Sequence, residues 1–226
     1  MKHLPKPEVN YLLLRPNNLN SPEFRHLWYL VFWPIYGLVF LILERFNPVE
    51  YYYPMHCALD DLIPFCEWFL IPYLLWFLLL AGAHVYTLFY DRECFKKLMK
   101  FLLITYGIAT VIYILFPNCQ NLRPEEFVRD NIGTRFMTFF YAFDTNTNVC
   151  PSLHVVGAVA VMLTVFYAKG LGKPWMKWTA VLMTVLISLS TVFLKQHSVL
   201  DGLAALAVCA VAYPFSFMPR KQKQSE

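Results

Sequence analysis

A chain of 226 residues that is 58% hydrophobic and only 15% charged does not fit an ordinary soluble domain, where roughly a quarter of residues are charged. Its formal net charge of +4 is explained by Lys and Arg beside membrane segments and calls for no nucleic-acid partner. The apolar residues come in blocks rather than at the spacing of a half-buried strand or surface helix.

Residues 1–26 are polar and Pro-rich, with Lys2, Lys6, Arg15 and Arg25. They do not read as a cleavable signal peptide, so the first apolar block is expected to serve as the insertion signal. Asn17 to Pro22 is a turn-rich entry to that block. Six blocks then follow without Asp, Glu, Lys or Arg: Leu27–Leu43, Phe69–Ala83, Phe101–Phe116, Val155–Ala168, Trp178–Leu194 and Gly202–Met218. Flanking residues bring most of them toward the ~20 residues that span ~30 Å of hydrocarbon. Helices satisfy their own backbone polar groups in lipid, whereas an open sheet does not. The expected fold is therefore all-α: a polytopic membrane protein with six transmembrane helices in one bundle. Residues 1–26 form an arm, 27–218 the membrane domain and 219–226 a polar tail. Pro34 and Pro72 fall inside the first two blocks and predict kinks. Trp28, Trp33, Tyr51 to Tyr53, Trp175 and Trp178 are placed as interfacial anchors.

Between the blocks, Phe46 to Glu67 carries Pro48, Pro54 and Pro64 and is expected to lie along the interface. Tyr90 to Lys100 and Lys169 to Lys177 are basic loops. Pro117 to Cys150 is too long for a plain connector and predicts a short helix with a functional loop, including the polar run Asp144 to Asn148. With six spans both termini share one side. The other side holds Arg45, Arg123, Arg129, Arg135 and Lys195, leaving fourteen of the 19 Lys and Arg with the termini. This bias places both termini in the cytoplasm and the segments around Arg123, His154 and His197 outside. The six cysteines lack metal-ligand spacing. Cys119 and Cys150 share the outer loop, where they form either a disulfide or two small buried thiols.

Two short stretches carry chemistry. Pro151-Ser152-Leu153-His154 opens the fourth block. Pro suits the first helical position, helix starts attract phosphate, Ser152 offers a hydroxyl, and His154 can pass a proton. His197 and Asp201, four apart, are expected on one face of the sixth helix. A carboxylate on one ring nitrogen raises the basicity of the other and makes the imidazole a nucleophile. Lys195, Ser190 and Thr191 can line a phosphate pocket, and Arg123 offers a planar fork to phosphate oxygens. The same residues admit other readings: a zinc site on His154, His197 and Asp201, or a non-enzymatic membrane protein that binds lipid phosphates.

Taken in order, Arg123-Pro124, Pro151-Ser152-Leu153-His154, and Ser190 with His197 and Asp201 resemble the type 2 phosphatidic acid phosphatase superfamily. Thr191 to His197, together with Asp61, Ile63-Pro64-Phe65, Tyr73 and Trp76, is similar to the branch that includes inositol phosphorylceramide synthases and small bacterial relatives. Phe116 stands where the family has Lys, Leu153 where it has Gly, and Thr191 where it has Arg. The resemblance implies a lipid phosphate substrate in the bilayer and catalysis without metal or cofactor. It implies His197 as nucleophile aligned by Asp201, His154 as general acid and base, and Arg123, Ser152, Lys195, Ser190 and Thr191 around the phosphate. It admits hydrolysis or head-group transfer.

Overall fold

Eight α-helices account for most of the described residues, 6–46 and 49–218, of a computed structural model. They are α1 (Phe32–Arg45), α2 (Ala58–Leu62), α3 (Leu70–Tyr90), α4 (Arg92–Leu115), α5 (Ile132–Phe143), α6 (Leu153–Tyr167), α7 (Pro174–Phe193) and α8 (Val199–Ser216). Lys2, Pro48 and the tail from 219 lie outside the described residues.

Among the described residues, five helical segments are long and apolar enough to cross a membrane: Arg25–Arg45, Glu67–Tyr90, Arg92–Leu115, Pro174–Phe193 and Val199–Ser216. The fourth expected span is the shorter helix α6, of 15 residues. At 1.5 Å per residue it rises about 22 Å, less than the ~30 Å of a hydrocarbon core.

Helix α6 is nonetheless the centre of the bundle, packed against α3, α4, α7 and α8. Val155 to Ala160 are buried without a break, so α6 shows no solvent or lipid stripe over those turns. Helix α1 is peripheral, with Leu43 its one buried side chain among the described residues and Ile35, Leu38, Leu41 and Ile42 exposed. Trp28, Trp175 and Trp178 are exposed as interfacial anchors would be, but Trp33 turns inward onto His84 and Tyr106.

Three local expectations are corrected. Tyr90 to Lys100 is not a loop: α3 ends at Tyr90, Asp91 caps the next helix by accepting from the Cys94 N–H, and α4 begins at Arg92. Its charged residues interrupt the apolar block without interrupting the helix, because long basic side chains reach outward from helical backbone. Pro34 and Pro72 lie inside candidate spans, but in the first turn of their α-helices rather than in a helix interior. Each is the third residue of α1 or α3, just after a 3₁₀ segment, Arg25–Val31 or Glu67–Phe69. In a first turn the missing N–H breaks no α-helical bond. Pro151 does not open α6 either: the helix starts at Leu153 with Ser152 as its N-cap.

The long segment after α4 does contain a helix, α5, capped by Asn131. Two short parallel strands, β1 (Tyr53–Pro54) and β2 (Asn118–Cys119), tie the α1–α3 connection to it, with Tyr53 opposite Asn118. The N-terminal arm packs at the other end of the bundle. There Glu8 accepts from the Arg92 N–H (2.9 Å) and from Lys169 Nζ (2.7 Å).

Candidate active site

His154 and His197 reach the same cavity by different routes. His154 lies in the first turn of α6, and the chain entering that turn is held by a buried side chain, Asn118. Its Oδ1 accepts from the N–H groups of Val149 (2.8 Å) and Cys150 (2.7 Å), and its Nδ2 donates to the Cys150 carbonyl (3.0 Å). The imidazole stacks on Tyr73, centroids 4.4 Å apart, and lies against Trp76 at 4.5 Å. Close approach of Trp76 depends on Gly157. A Cβ there would come within 2.5 Å of the indole Nε1 and 2.8 Å of two ring carbons. Gly157→Ala should therefore displace Trp76 from His154 and cost about 1–3 kcal/mol of stability, seen as a lower thermal midpoint and a shifted tryptophan emission. A variant with wild-type midpoint and emission would show that the ring has room to move.

His197 does not lie on the last helix. Ser198 is the N-cap of α8 and Asp201 its third residue, and the two form a capping box. The signal is present in the sequence as Ser-x-x-Asp before an apolar run, and it starts the helix two residues after His197. The pair still meets: Asp201 Oδ2 accepts from the Ser198 N–H (2.9 Å) and lies 3.2 Å from His197 Nδ1. Asp201 is fully buried and His197 is 8% exposed. The other ring nitrogen of His197, Nε2, has no hydrogen-bond partner among the described residues, so Nδ1 is the edge that the carboxylate orients.

The two imidazole centroids are 5.7 Å apart with the rings at 63°. Both border a cavity of about 80 Å³ with Asp144, Asn148, Gln196 and the apolar Phe40, Tyr113, Val149 and Leu153. One water needs roughly 10–15 Å³ of such space, so the cavity admits a group of a few heavy atoms, the size of a phosphoryl. Among the described residues no set of three or more His, Cys, Asp or Glu is placed to hold a metal ion.

The other sequence candidates are placed differently. Ser152 is fully buried and its hydroxyl has no partner among the described residues. Its N–H donates to the Asp201 carbonyl (3.1 Å), joining the starts of α6 and α8. Ser190 and Thr191 turn their hydroxyls back onto the carbonyls of Ile187 (2.6 Å) and Ser188 (2.8 Å). The Thr191 carbonyl accepts from the N–H groups of Gln196 and His197 and so folds the loop that carries His197. Lys195, in left-handed backbone (φ 52°), sends Nζ to the Asp60 carbonyl at 2.7 Å. Burial lowers its ammonium below the usual lysine range against the pull of Asp60 and Asp61. Arg123 donates to the carbonyls of Tyr141, Asp144 and Thr145 and to Gln196 Oε1. Cys119 and Cys150 are separate thiols.

Sequence reasoning missed three carboxylates. Asp60, rather than the neighbouring Asp61, anchors the last helix. It accepts from Ser198 Oγ (2.6 Å), the Val199 N–H (2.8 Å) and the Cys57 N–H (2.8 Å). Burial pushes its carboxyl up, but these bonds outweigh burial and hold it below the usual range. Asp61 pairs instead with His56 at the surface. Glu44, at the end of α1, accepts from the hydroxyls of Thr145 and Thr147 and from Asn148 Nδ2 and so pins the cavity wall. Asp144 faces the cavity itself. Burial raises its carboxyl above the ordinary aspartate range, against the opposing charges of Arg123 and His197. Only the polar run Asp144 to Asn148 pointed to this wall, since Glu44 meets it, and Asp60 meets Ser198, from more than a hundred residues away.

The PAP2 superfamily matches over residues 53–215. No curated protein matches the chain, and no solved structure does. The matched segment holds α2 to α7, nearly all of α8, and both histidines. The chain belongs to the PAP2 superfamily, and that membership implies a lipid phosphatase or phosphotransferase.

Proposed function

We propose that this PAP2-superfamily protein is an integral-membrane lipid phosphatase that hydrolyses a lipid phosphomonoester or diphosphate through a phosphohistidine on His197. The observation that carries the reading is the pairing of two imidazoles on one phosphoryl-sized cavity, one of them backed by the buried Asp201.

In the first step His197 Nε2 attacks phosphorus, the bond to the lipid oxygen breaks, and His154 gives that oxygen a proton. In the second, water attacks phosphorus as His154 takes its proton, and the N–P bond breaks to release phosphate and free His197. Positioning and charge stabilisation carry most of such a reaction. The buried hydroxyl of Ser152, at the α6 cap and without a partner among the described residues, supports its role as a donor to the phosphoryl oxygens. Lys195, Ser190 and Thr191 act at one remove, by shaping the loop that presents His197. Phe40, Tyr113, Val149 and Leu153 offer an apolar wall for the first carbons of the lipid.

In this reading α6 also crosses the membrane and brings the number of crossing segments to six. Its shortness suits a helix enclosed by four others, because its start, and His154 with it, then lies recessed below the membrane surface. Both termini are cytoplasmic and the cavity opens on the outer side, in keeping with the distribution of Lys and Arg. The kinship to the inositol phosphorylceramide synthase branch rests on Lys195-Gln196-His197, Asp61, Tyr73 and Trp76. An alcohol in place of water in the second step makes the protein a phosphotransferase, and with a phosphodiester substrate, whose head group stays on phosphorus through both steps, a head-group transferase.

The test is a phosphate-release screen of the purified full-length protein in vesicles. It covers phosphatidic acid, phosphatidylglycerol phosphate and a polyprenyl diphosphate, each with and without an alcohol acceptor. Release of phosphate without acceptor is expected. Turnover only with an acceptor reassigns the protein as a transferase, and lipid binding with no turnover of any kind overturns the enzymatic reading.

A further inference from the structure

Arg123 is the residue that the resemblance puts on the phosphate, yet its terminal donors point elsewhere; its Nε–H is buried without a partner among the described residues, and Arg123 does not border the cavity. Nη1 donates to the carbonyls of Tyr141 (3.1 Å) and Asp144 (2.9 Å). Nη2 donates to the Thr145 carbonyl (2.9 Å) and to Gln196 Oε1 (2.8 Å). A guanidinium has two N–H bonds on each terminal nitrogen, so all of its terminal donors already have protein acceptors. The plane also lies over the Tyr141 ring, 4.6 Å from its centroid.

Gln196 shows what this arrangement is for. Arginine only donates, so the amide atom that meets Nη2 is the oxygen, and the hydrogen-bond network settles the orientation of the amide. The NH₂ end is thereby turned away from Arg123. Gln196 is 2% exposed, it borders the cavity beside His197, and its Nε2 has no hydrogen-bond partner among the described residues. Its backbone is also fixed: the N–H donates to the Thr191 carbonyl at 2.9 Å, just after the left-handed Lys195.

A buried donor without an acceptor is costly unless something supplies one. The family positions that would hold cations, 116 and 191, are Phe and Thr here, which leaves the phosphate short of donors. We propose that Gln196 Nε2–H donates directly to a phosphoryl oxygen in the cavity, and that Arg123 is a positioning residue that acts through Gln196. The guanidinium on Oε1 fixes the amide and polarises it, which strengthens the N–H donor. Preset donors aimed at developing charge lose nothing to reorganisation when the charge appears. The proposal rests on the phosphoryl-transfer reading above.

A mutant cycle tests it. Arg123→Ala, Gln196→Ala and the double variant are compared for kcat and KM of phosphate release, for orthovanadate affinity and for thermal midpoint. Loss of Gln196 alone should lower kcat by about 10²–10³-fold, as for removal of one oxyanion donor, with a smaller change in KM. The double variant should be no slower than the slower single variant. If the two losses multiply, Arg123 touches the phosphate independently and the proposal fails. Arg123→Ala can unfold the loop it staples, so Gln196→Glu provides a second arm. It keeps the bond to Arg123 and the fold but places a carboxylate oxygen where the donor was. Its turnover and vanadate affinity should fall at least as far as those of Gln196→Ala, with an unchanged midpoint; wild-type values for Gln196→Glu overturn the proposal. Wild-type protein that binds orthovanadate without turnover refutes the enzymatic reading alone, and the vanadate affinities of the variants then decide the role of Gln196. Wild-type protein that does neither refutes both.

Discussion

His197→Ala should abolish phosphate release, with a fall of about 10⁴-fold or more, the scale on which a nucleophile acting as part of a unit is lost. The informative comparison is with His154→Ala. If His197 forms the covalent bond and His154 only moves protons, the two variants fail at different points. His154→Ala should lose about 10²–10⁴-fold on a lipid substrate, whose alkoxide leaves poorly without a proton. On an aryl phosphate the leaving oxygen needs little help, so His154→Ala should still phosphorylate His197. Water then lacks its base, and an acid-labile phosphohistidine should accumulate. In His197→Ala no such adduct should form with either substrate. Rapid quench with labelled aryl phosphate reads this directly. An adduct that persists in His197→Ala, or resides on residue 154, reverses the assignment that the 5.7 Å ring separation leaves symmetric and that only the Asp201 contact to His197 breaks.

Asp201→Asn should be nearly as damaging and leave the protein folded. One carboxylate oxygen serves both the Ser198 N–H and the His197 ring. An amide oxygen in that place keeps the α8 cap and the ring contact but removes the negative charge that favours the cationic phosphoimidazole. An amide nitrogen there sets donor against donor. In either orientation the ring is a poorer nucleophile. A loss on the order of 10⁴-fold in kcat is expected, the size typical when a histidine-orienting carboxylate becomes an amide. The thermal midpoint should move little, because the orientation with the amide oxygen on the Ser198 N–H keeps the cap. Asp201→Ala gives the contrast: it leaves the buried Ser198 N–H without its acceptor, at about 1–3 kcal/mol, and should lower the midpoint as well. Wild-type turnover in Asp201→Asn would mean that the aspartate only starts the helix.

The helical character was legible from composition, because blocks of apolar residues in lipid have few ways to satisfy their backbone. Lengths were less legible. The charge-free block starts the third span at Phe101, although helix α4 runs back to Arg92, because a charged side chain can leave the bilayer while its backbone stays helical. The start of α8 is legible in Ser198 and Asp201, but i and i+4 spacing also predicts one helical face, whereas a capping box delivers the same contact from a loop. From sequence, Lys195 is expected to line the phosphate pocket. Its left-handed backbone turns it to the Asp60 carbonyl instead, a direction that no spacing rule contains.

Local sequence was enough to single out the two imidazoles and the carboxylate that the fold brings together at one cavity, since the ordered set of Arg-Pro, Pro-Ser-x-His and His-x₃-Asp is far more specific than any one of its parts. Which donors face the cavity was decided by tertiary structure alone. Arg123 meets Gln196 across 73 residues and Asp60 meets Ser198 across 138. A hydrogen bond consumes the donor that forms it, so whether a side chain is left for substrate depends on partners that only the folded bundle brings within reach.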